Sequence, residues 1–292
     1  MNRRELLGRI GAVIGASFIS DAKATTDNAV APEISGAAWP TKDNTGPPPG
    51  QTRRLHQGDL VLDKAGQSVS GLDIQGVVWV NAPNVTLKDC SVSVSHYVVI
   101  AIKNRVTGTR IENCDISGVG FKNDGSHGIR GTGTFLRNNI SNVENGITVD
   151  DGGDETLIQD NYIHSLLASG SPHYDGIQID GNISNVTIRH NTIINDHDQT
   201  SAIMIDNYFG PISNIVVENN LLLGGGYTIY VDGQFNDHPI AGVSITGNAM
   251  GRGRWGITAF NRTSPIYKEN IANGKLIALK LGLIGPPTKS GL

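Results

Sequence analysis

The chain has 292 residues, of which 38% are hydrophobic and 17% are charged, with 37 glycines and a formal net charge of −4. The apolar share is too high for a disordered chain, and the abundance of glycine is typical of an all-β protein rich in turns. The weakly acidic balance excludes the basic surface that nucleic-acid binding requires, so we expect no nucleic-acid partner.

Residues 1–24 are predicted to be an export signal. They contain the pair Arg3-Arg4, the uncharged run Ile10–Ile19 and the small-residue cleavage site Ala22-Lys23-Ala24. The arginine pair makes the segment similar to a twin-arginine signal. The apolar run is shorter than the roughly 20 residues that a membrane anchor needs. We therefore expect a periplasmic or secreted protein with no membrane association after signal removal.

Three further segments follow the signal. Residues 25–57 lack periodicity and include the Gly-Pro-Pro-Pro-Gly run Gly46–Gly50, which favours an extended or polyproline conformation. We expect an extended strap there, followed by a repetitive coil over residues 58–262. Residues 263–292 are predicted to form a C-terminal cap or tail, because a solenoid needs a cover for its terminal rung.

Short motifs return at intervals of about 22 to 30 residues along the middle of the chain. The clearest is Val186–Ile193, which reads Val-Thr-Ile-Arg-His-Asn-Thr-Ile. It is echoed in Val85–Val92, Arg110–Ile116, Phe135–Ile140, Leu157–Ile163, Ile215–Leu222 and Val243–Met250. A second unit, Gly176–Asp180, is echoed in Gly146–Asp150, Ala202–Asp206 and Thr228–Asp232. Short period-2 strands repeated between Gly, Asn and Asp predict an all-β, single-stranded parallel β-helix of about seven rungs.

Apolar residues of successive repeats are expected to stack inside the coil, because paired rungs lie about 4.8 Å apart. One predicted column contains Leu87, Ile111, Leu136, Ile158, Ile188, Val217 and Ile245. A second contains Ile147, Ile177, Ile203, Ile229 and Ile257. These columns predict which side chains form the core.

A polar column is predicted beside the apolar ones. It contains Asn161, Asn191, Asn220 and Asn248. Their amides can hydrogen-bond from rung to rung at an inward bend, so we expect a structural role. Cys90 and Cys114 occupy the same column in earlier rungs, where they are predicted to form either a disulfide or two stacked buried thiols.

Strand alternation directs Gln178 and Asp180 out of the coil, because Ile177 and Ile179 point inward. The same parity predicts an outward row on four successive rungs, formed by Asp150, Asp180, Asp206 and Asp232. Like charges about 5 Å apart repel, so such a row binds cations or contains carboxyls with a raised pKa. The alternative is that these aspartates only cap the turns that follow each strand.

Other polar and aromatic residues are predicted to share this face with the aspartates. Aromatic rings beside carboxylates are typical of sugar-binding grooves, because rings stack on sugars while acids bind their hydroxyl groups. The candidate substrate-binding residues are His127, Gln178, Tyr208, Tyr230, Asp232 and Trp255. The expected partner is therefore a polysaccharide or an oligosaccharide.

The units Asn185–Ile193 and Asp175–Gly181 resemble the repeats of right-handed β-helix proteins of the pectin-lyase-like superfamily. The resemblance covers roughly Asp59 to Asn261 and implies that the coil is right-handed. The superfamily includes polysaccharide lyases, glycoside hydrolases, epimerases and phage or surface binding proteins. The resemblance therefore implies a fold, while the activity has to be argued from the site.

One motif points to a particular subgroup. Tyr174-Asp175-Gly176 is similar to the first acidic motif of polygalacturonase-type hydrolases. Thr200-Ser201 stand one rung later, where that subgroup has two aspartates. The chain also lacks the Gly-His-Gly and Arg-Ile-Lys motifs of these hydrolases and the Trp-x-Asp-His signature of pectate lyases.

The function expected first is a polysaccharide lyase that acts on a uronate-containing glycan. A row of acids would hold Ca²⁺, a hard cation suited to oxygen ligands, and the ion would neutralise the uronate so that its α-proton becomes removable. The predicted metal ligands are Asp150, Asp180 and Asp206. The predicted catalytic residues are Asp175, His173, Tyr174 and Arg130.

Two alternatives remain. An inverting glycoside hydrolase needs two carboxyls about 6.5–9.5 Å apart, a separation met by residues two rungs apart. Asp150 with Asp206, or Asp180 with Asp232, would satisfy it. A non-catalytic glycan-binding coil would bind sugar without cleaving it, and replacement of the acids would leave that binding intact.

Overall fold

The computed structural model describes residues 38–119, 124–150 and 155–285. Within them the chain forms strands β1 to β27, numbered in chain order, and the helix α1, Gly274–Lys280. The predicted export signal, the first part of the strap and the last residues of the tail lie outside the described residues. No helix among the described residues is long and apolar enough to cross a membrane.

The strands form three parallel sheets, A, B and C, of nine strands each. Sheet A contains β1 (Arg54–Gln57), β4 (Leu72–Gln75), β7 (Ser91–Ser93), β10 (Asp115–Ser117), β13 (Asn139–Ser141), β16 (Tyr162–Ile163), β19 (Thr192–Asn195), β22 (Leu221–Gly224) and β25 (Ala249–Gly251). Sheet B contains β2 (Leu60–Leu62), β5 (Val78–Val80), β8 (Val98–Ile102), β11 (His127–Arg130), β14 (Asn145–Val149), β17 (Asp175–Ile179), β20 (Ser201–Asp206), β23 (Tyr227–Asp232) and β26 (Gly256–Asn261). Sheet C contains β3 (Ser68–Ser70), β6 (Thr86–Lys88), β9 (Arg110–Glu112), β12 (Thr134–Leu136), β15 (Thr156–Gln159), β18 (Ile183–Arg189), β21 (Ile212–Glu218), β24 (Ile240–Thr246) and β27 (Ile266–Lys268).

Each strand pairs with the strand three places along the chain, so every rung contributes one strand to each sheet. This pattern is that of a parallel β-solenoid, and the predicted all-β architecture is confirmed. The seven echoed motifs of the sequence lie in seven consecutive strands of sheet C, from β6 to β24. At the N-terminal end of that set β3 pairs with β6, and at the C-terminal end β27 pairs with β24.

The core consists of side chains that alternate inward along each strand. In β6, for example, Leu87 is fully buried between two partly exposed polar neighbours. Two predicted core positions are wrong by one residue. Phe135, and not Leu136, pairs with Ile111 and is fully buried. Two adjacent apolar residues satisfy the sequence pattern equally, whereas the ladder accepts only one of them in the coil.

The second correction lies in β26. Thr258, and not Ile257, is level with Ile229 of the preceding rung. The ladder begins with Tyr227 opposite Gly256, which fixes the register of the strands. Ile257 is therefore one place out of the predicted column, although its side chain still packs against the core.

The asparagine column is confirmed and is longer than predicted. Each side-chain amide donates to the carbonyl oxygen of the next at 2.9–3.0 Å, through Asn138, Asn161, Asn191, Asn220, Asn248 and Asn270. The residue before each of these positions has a positive φ of 50–65°, which turns the chain sharply at this corner. The ladder therefore satisfies the polar groups that this corner buries.

The two cysteines continue this column at its N-terminal end. The backbone N–H of Cys114 donates to Asn138 Oδ1 at 3.0 Å, as the ladder asparagines do to one another. Both thiols are fully buried and free, so of the two predicted states the structure has the stacked thiols. Burial raises the pKa of the Cys114 thiol well above its ordinary value.

Part of the outer face of sheet A is covered by segments from both ends of the described chain. Ala278 of α1 is fully buried against a small apolar cluster that includes Leu221 and Leu223. Trp39 packs against the same cluster, and its ring stacks on His190 with centroids 5.4 Å apart. The C-terminal part of the outer face of sheet A, around Leu221 and Leu223, is thereby covered.

Candidate functional site on sheet B

The candidate site lies on the outer face of sheet B, and a break in strand alternation places Asp175 there. A Cβ added to Gly176 would meet the side chain of Ile193 at 2.2 Å, so this position faces the interior. Ile177 is also buried in the core. Two successive inward positions put Asp175 and Gln178 on the same outer face. Gly146 repeats this arrangement one rung earlier, against Ile163.

Strand register aligns the four predicted aspartates in one row. Val149 pairs with Ile179, which brings Asp150 level with Asp180. Ile179 pairs with Ile205, and Asp206 pairs directly with Asp232. Asn261 continues the row in the following rung. In this row, hereafter the acidic row, successive members are one rung apart, about 4.8 Å.

Members of the acidic row have different partners. Asp150 forms an ion pair with Arg130, with 2.6 Å between Oδ2 and Nε. Asp206 Oδ1 accepts the backbone N–H of Tyr208 at 2.9 Å, as a turn-capping aspartate does. Asp232 Oδ1 accepts the N–H of Gln234 at 3.0 Å. The turn-capping alternative considered from the sequence therefore applies to Asp206 and Asp232.

These contacts test the fit of a calcium ion. The charge of Asp150 is compensated by Arg130, and one oxygen of Asp206 is occupied by the backbone. Among the described residues, no group of three or more His, Cys, Asp and Glu side chains is placed to hold a metal ion. The three predicted ligands Asp150, Asp180 and Asp206 do not fit a calcium site in this arrangement.

Burial differs between the floor and the rim of this face. Asp175 and Asp206 are fully buried, and Gln178, Asp180 and Asp232 are at most 8% exposed. The rim is partly or fully exposed and contains His127, Arg130, Asp150, His173, Tyr208, Tyr230 and Trp255. The carboxyls of Asp175, Asp180, Asp206 and Asp232 therefore lie at the floor of the face, shielded from bulk water, where electrostatic interactions are stronger than in solvent.

Burial also changes the acidity of groups on this face. It raises the pKa of Asp232 above the ordinary value of 3.8, although hydrogen bonds from Asn261 and Gln234 oppose the change. Burial likewise raises the pKa of Tyr230, and the negative charges of Asp175 and Asp232 add to that effect. Asp232 therefore holds its proton to a higher pH than an exposed aspartate does.

A chain of hydrogen bonds crosses the face beside the acidic row. His127 Nδ1 lies 2.7 Å from Thr148 Oγ1, and this hydroxyl donates to Gln178 Oε1 at 3.3 Å. Asp175 Oδ1 accepts the hydroxyl of Ser201 at 2.7 Å. Ser201 stands where the polygalacturonase-type pattern has an aspartate, so here that position orients Asp175 and adds no second carboxylate.

Glu144 is a residue of the site that the sequence analysis missed. Its carboxylate accepts the backbone N–H of His173 at 3.0 Å and that of Gly125 at 2.7 Å. It thus joins two connections that are far apart in the chain and fixes the backbone of His173, two residues before Asp175. The sequence shows only that Glu144 directly precedes Asn145, the first residue of β14. It gives no indication of which loops the Glu144 side chain reaches.

Tyr174 does not belong to the face, which corrects its prediction as a catalytic residue. Its side chain is buried in the core cluster, and its ring stacks on His197 with centroids 3.5 Å apart. Its hydroxyl accepts the backbone N–H of Ala168 at 3.3 Å. The side chain points away from Asp175 because neighbouring strand residues face opposite sides.

Two aromatic groups border the acidic row. Tyr230 packs edge-to-face on Tyr227 with centroids 5.3 Å apart, and the ring of Trp255, which is 39% exposed, lies 6.0 Å from Tyr227. Tyr208 contacts the rings of Phe209 and Phe235 on the turns that follow β20 and β23. Tyr230 and Trp255 therefore lie together at the C-terminal end of the face, and Tyr208 lies at its edge.

Three parallel sheets wound into one coil, with stacked side-chain ladders inside, define a parallel β-helix protein. The chain belongs to the right-handed β-helix family, since the family model described as "Right handed beta helix region" matches residues 75–250. The prediction that the coil is right-handed is thereby confirmed. No curated protein and no solved structure gave a significant match.

Proposed function

We propose that the protein is an exported enzyme that binds a polysaccharide along the outer face of sheet B and hydrolyses its glycosidic bonds. The observation that carries the proposal is a row of in-register carboxyls in which burial raises the pKa of one member, Asp232. A carboxyl with a raised pKa that shares a face with a second carboxyl is what acid–base cleavage of a glycosidic bond requires.

The two catalytic roles follow from acidity and spacing. Asp232, whose pKa burial raises, acts as the general acid that protonates the leaving oxygen. Asp180 lies two rungs away, about 9.5 Å, and acts as the general base that activates water. This separation falls at the upper end of the range for inverting hydrolysis, since a water molecule has to fit between the base and the sugar.

The remaining groups of the face bind and orient the sugar. Tyr230 and Trp255 offer ring surfaces on which a pyranose ring stacks. Gln178 and His127 provide hydrogen-bonding groups whose positions are fixed through Thr148. Asp175 accepts the hydroxyl of Ser201 and is fully buried, so it supports the floor of the face beneath these groups.

A polysaccharide lyase is the second candidate, and Arg130 is the observation that favours it. This exposed side chain binds Asp150 through Nε, which leaves its terminal nitrogens available for the carboxylate of a uronate. His173 would then be the base that removes the α-proton. Calcium dependence belongs to this candidate, although the contacts of Asp150 and Asp206 do not fit the ion.

Product analysis separates the candidates. We expect one polysaccharide of a panel containing polygalacturonate, alginate, xylan and soluble starch to yield new reducing ends without near-ultraviolet absorbance, and chelator to leave the rate unchanged. Unsaturated products absorbing in the near ultraviolet, formed only with Ca²⁺, would establish the lyase instead. Binding of a polysaccharide without any cleavage would identify a non-catalytic glycan-binding coil.

Replacement of Asp232 by asparagine is expected to raise the melting temperature at pH 7. The folded state favours protonated Asp232 because burial raises its pKa, so ionisation costs stability as pH rises through that raised value. Asparagine removes this cost. The difference between wild type and Asp232→Asn should therefore vanish as pH falls below the ordinary aspartate pKa of 3.8.

Thermal unfolding from pH 3 to pH 8 measures this effect. Asp198→Asn is the matched control. Asp198 is 76% exposed, and its ion pair with Arg254, at 3.5 Å, lies on the surface where water screens it. Its replacement should therefore change stability little at any pH. A lower melting temperature for Asp232→Asn at pH 7 would contradict the assignment.

A further inference from the structure

Three aromatic residues lie on the outer face of sheet B at its N-terminal end, away from the acidic row. Trp79 is the middle residue of β5, and it points outward because Val78 and Val80 are fully buried. The ring of His96 meets that of Trp79 edge-on at 6.1 Å, and Tyr97 lies 4.5 Å from His96. We call Trp79, His96 and Tyr97 the N-terminal aromatic cluster.

The indole ring of this cluster is held in one orientation. Trp79 Nε1 donates to Asp59 Oδ2 at 2.9 Å, and the other oxygen of Asp59 accepts the backbone N–H of Val77 at 2.9 Å. Both hydrogen bonds lower the pKa of Asp59, the bond from Trp79 most, so the acceptor is charged at neutral pH. A ring fixed before a ligand arrives loses little conformational entropy on binding.

The cluster is continuous with the candidate site. Trp79 pairs with Ala101, which pairs with Arg130, so Trp79 lies in the same column as Arg130 and, farther along, Gln178. The backbone N–H of His127 donates to the carbonyl oxygen of Tyr97 at 2.9 Å. Ala101, between the two regions, has a small side chain that leaves the surface open.

Rung spacing gives the length of the combined surface. Trp79 lies four rungs before Gln178, about 19 Å, and Tyr230 lies two rungs beyond Gln178, about 10 Å. Tyr230 lies in the same strand as Asp232, and Trp255, just before β26, lies at the rung beyond the acidic row. Aromatic surfaces thus extend over about 29 Å from Trp79 to Tyr230, with Trp255 one rung farther, a span that only a chain of several sugars can occupy. Tyr97, one rung nearer the acidic row than Trp79, is 46% exposed, so the N-terminal aromatic cluster is open to a ligand.

We propose that the N-terminal aromatic cluster is a remote subsite that stacks a pyranose ring of the polysaccharide being cleaved at the acidic row. This inference rests on the proposed function, and it adds the length of the substrate and the position of the cleaved glycosidic bond within it. A chain held on both sides of the acidic row is cleaved internally. The enzyme is therefore endo-acting and prefers long chains to short oligosaccharides.

Replacement of Trp79 by alanine tests the subsite. We expect about tenfold weaker binding of the polysaccharide from the panel that retards the wild-type protein in affinity electrophoresis, the fold-change expected for one lost aromatic stacking contact. The KM for that polymer should rise by a similar factor. The kcat/KM for its trisaccharide should stay within about twofold of wild type, because a trisaccharide cannot reach from the acidic row to Trp79.

Controls and outcomes distinguish this inference from the proposed hydrolase. Tyr267→Ala, which removes an exposed aromatic ring from sheet C, should change neither the binding of the polymer nor the kinetic constants on polymer and trisaccharide. Equal losses on polymer and trisaccharide, no loss of polymer binding, or release of sugars only from chain ends would overturn the remote subsite. Weaker polymer binding by Trp79→Ala with no cleavage at all would support the subsite and overturn the hydrolase. Retardation by none of the four polysaccharides would overturn both.

Discussion

Replacing Asp180 by asparagine is expected to lower kcat on the cleaved polysaccharide by about 10³-fold, the size of effect that loss of a general base has. The side chain points out of the coil between inward Ile179 and the turn that follows, so the fold should remain intact. Steady-state kinetics measure the loss, and circular dichroism checks the fold.

Asp73→Asn is the matched control for this variant. Asp73 lies in β4 on the outer face of sheet A, between buried Leu72 and Ile74, and has no place in the candidate site. Its replacement should leave kcat unchanged. Full activity of Asp180→Asn would remove Asp180 from the mechanism.

Replacing Asn191 by alanine is expected to lower the free energy of unfolding by about 4 kcal/mol, since several buried polar groups lose their partner at once. The amide of Asn191 donates to the carbonyl oxygens of Ile158 and Arg189 and to Asn220, at 2.9–3.1 Å. Its oxygen accepts two hydrogen bonds from Asn161. Urea denaturation measures the change.

The control for Asn191 is a rung-spanning asparagine that water can reach. Asn139 donates to Asp115 at 3.0 Å on the partly exposed outer face of sheet A. Asn139→Ala should cost less than about 1 kcal/mol, because water replaces the lost partner. Equal costs for the two variants would mean that burial of the ladder adds nothing to its stability.

The fold was predictable because the same sequence pattern recurs in every rung. Period-2 alternation and recurring asparagines indicate strands, corners and inward columns together, and each rung supports the interpretation of the next. The errors at Leu136 and Ile257 occur where two neighbouring residues suit the core position, so that only the ladder itself selects one. Register is thus decided by backbone pairing where side chains leave a choice.

The site was predictable only in part, because strand parity places some side chains and loops place the rest. The acidic row follows from parity alone. Tyr174 was misplaced because the sequence does not show which face the residue before Asp175 takes when alternation breaks at Gly176. The contact between Glu144 and His173 joins segments 29 residues apart and depends on loop paths that no local pattern encodes.

The repeating construction of the coil also fixes the distances between groups on its surface in units of one rung. Each rung pairs only with its two neighbours, so duplication of one rung between β8 and β11 would keep every ladder intact. Such a duplication would move Trp79 about 4.8 Å farther from Asp180 without altering either group. The distance between recognition and cleavage can therefore change only in whole rungs, which gives such proteins a stepwise route to substrates of different length.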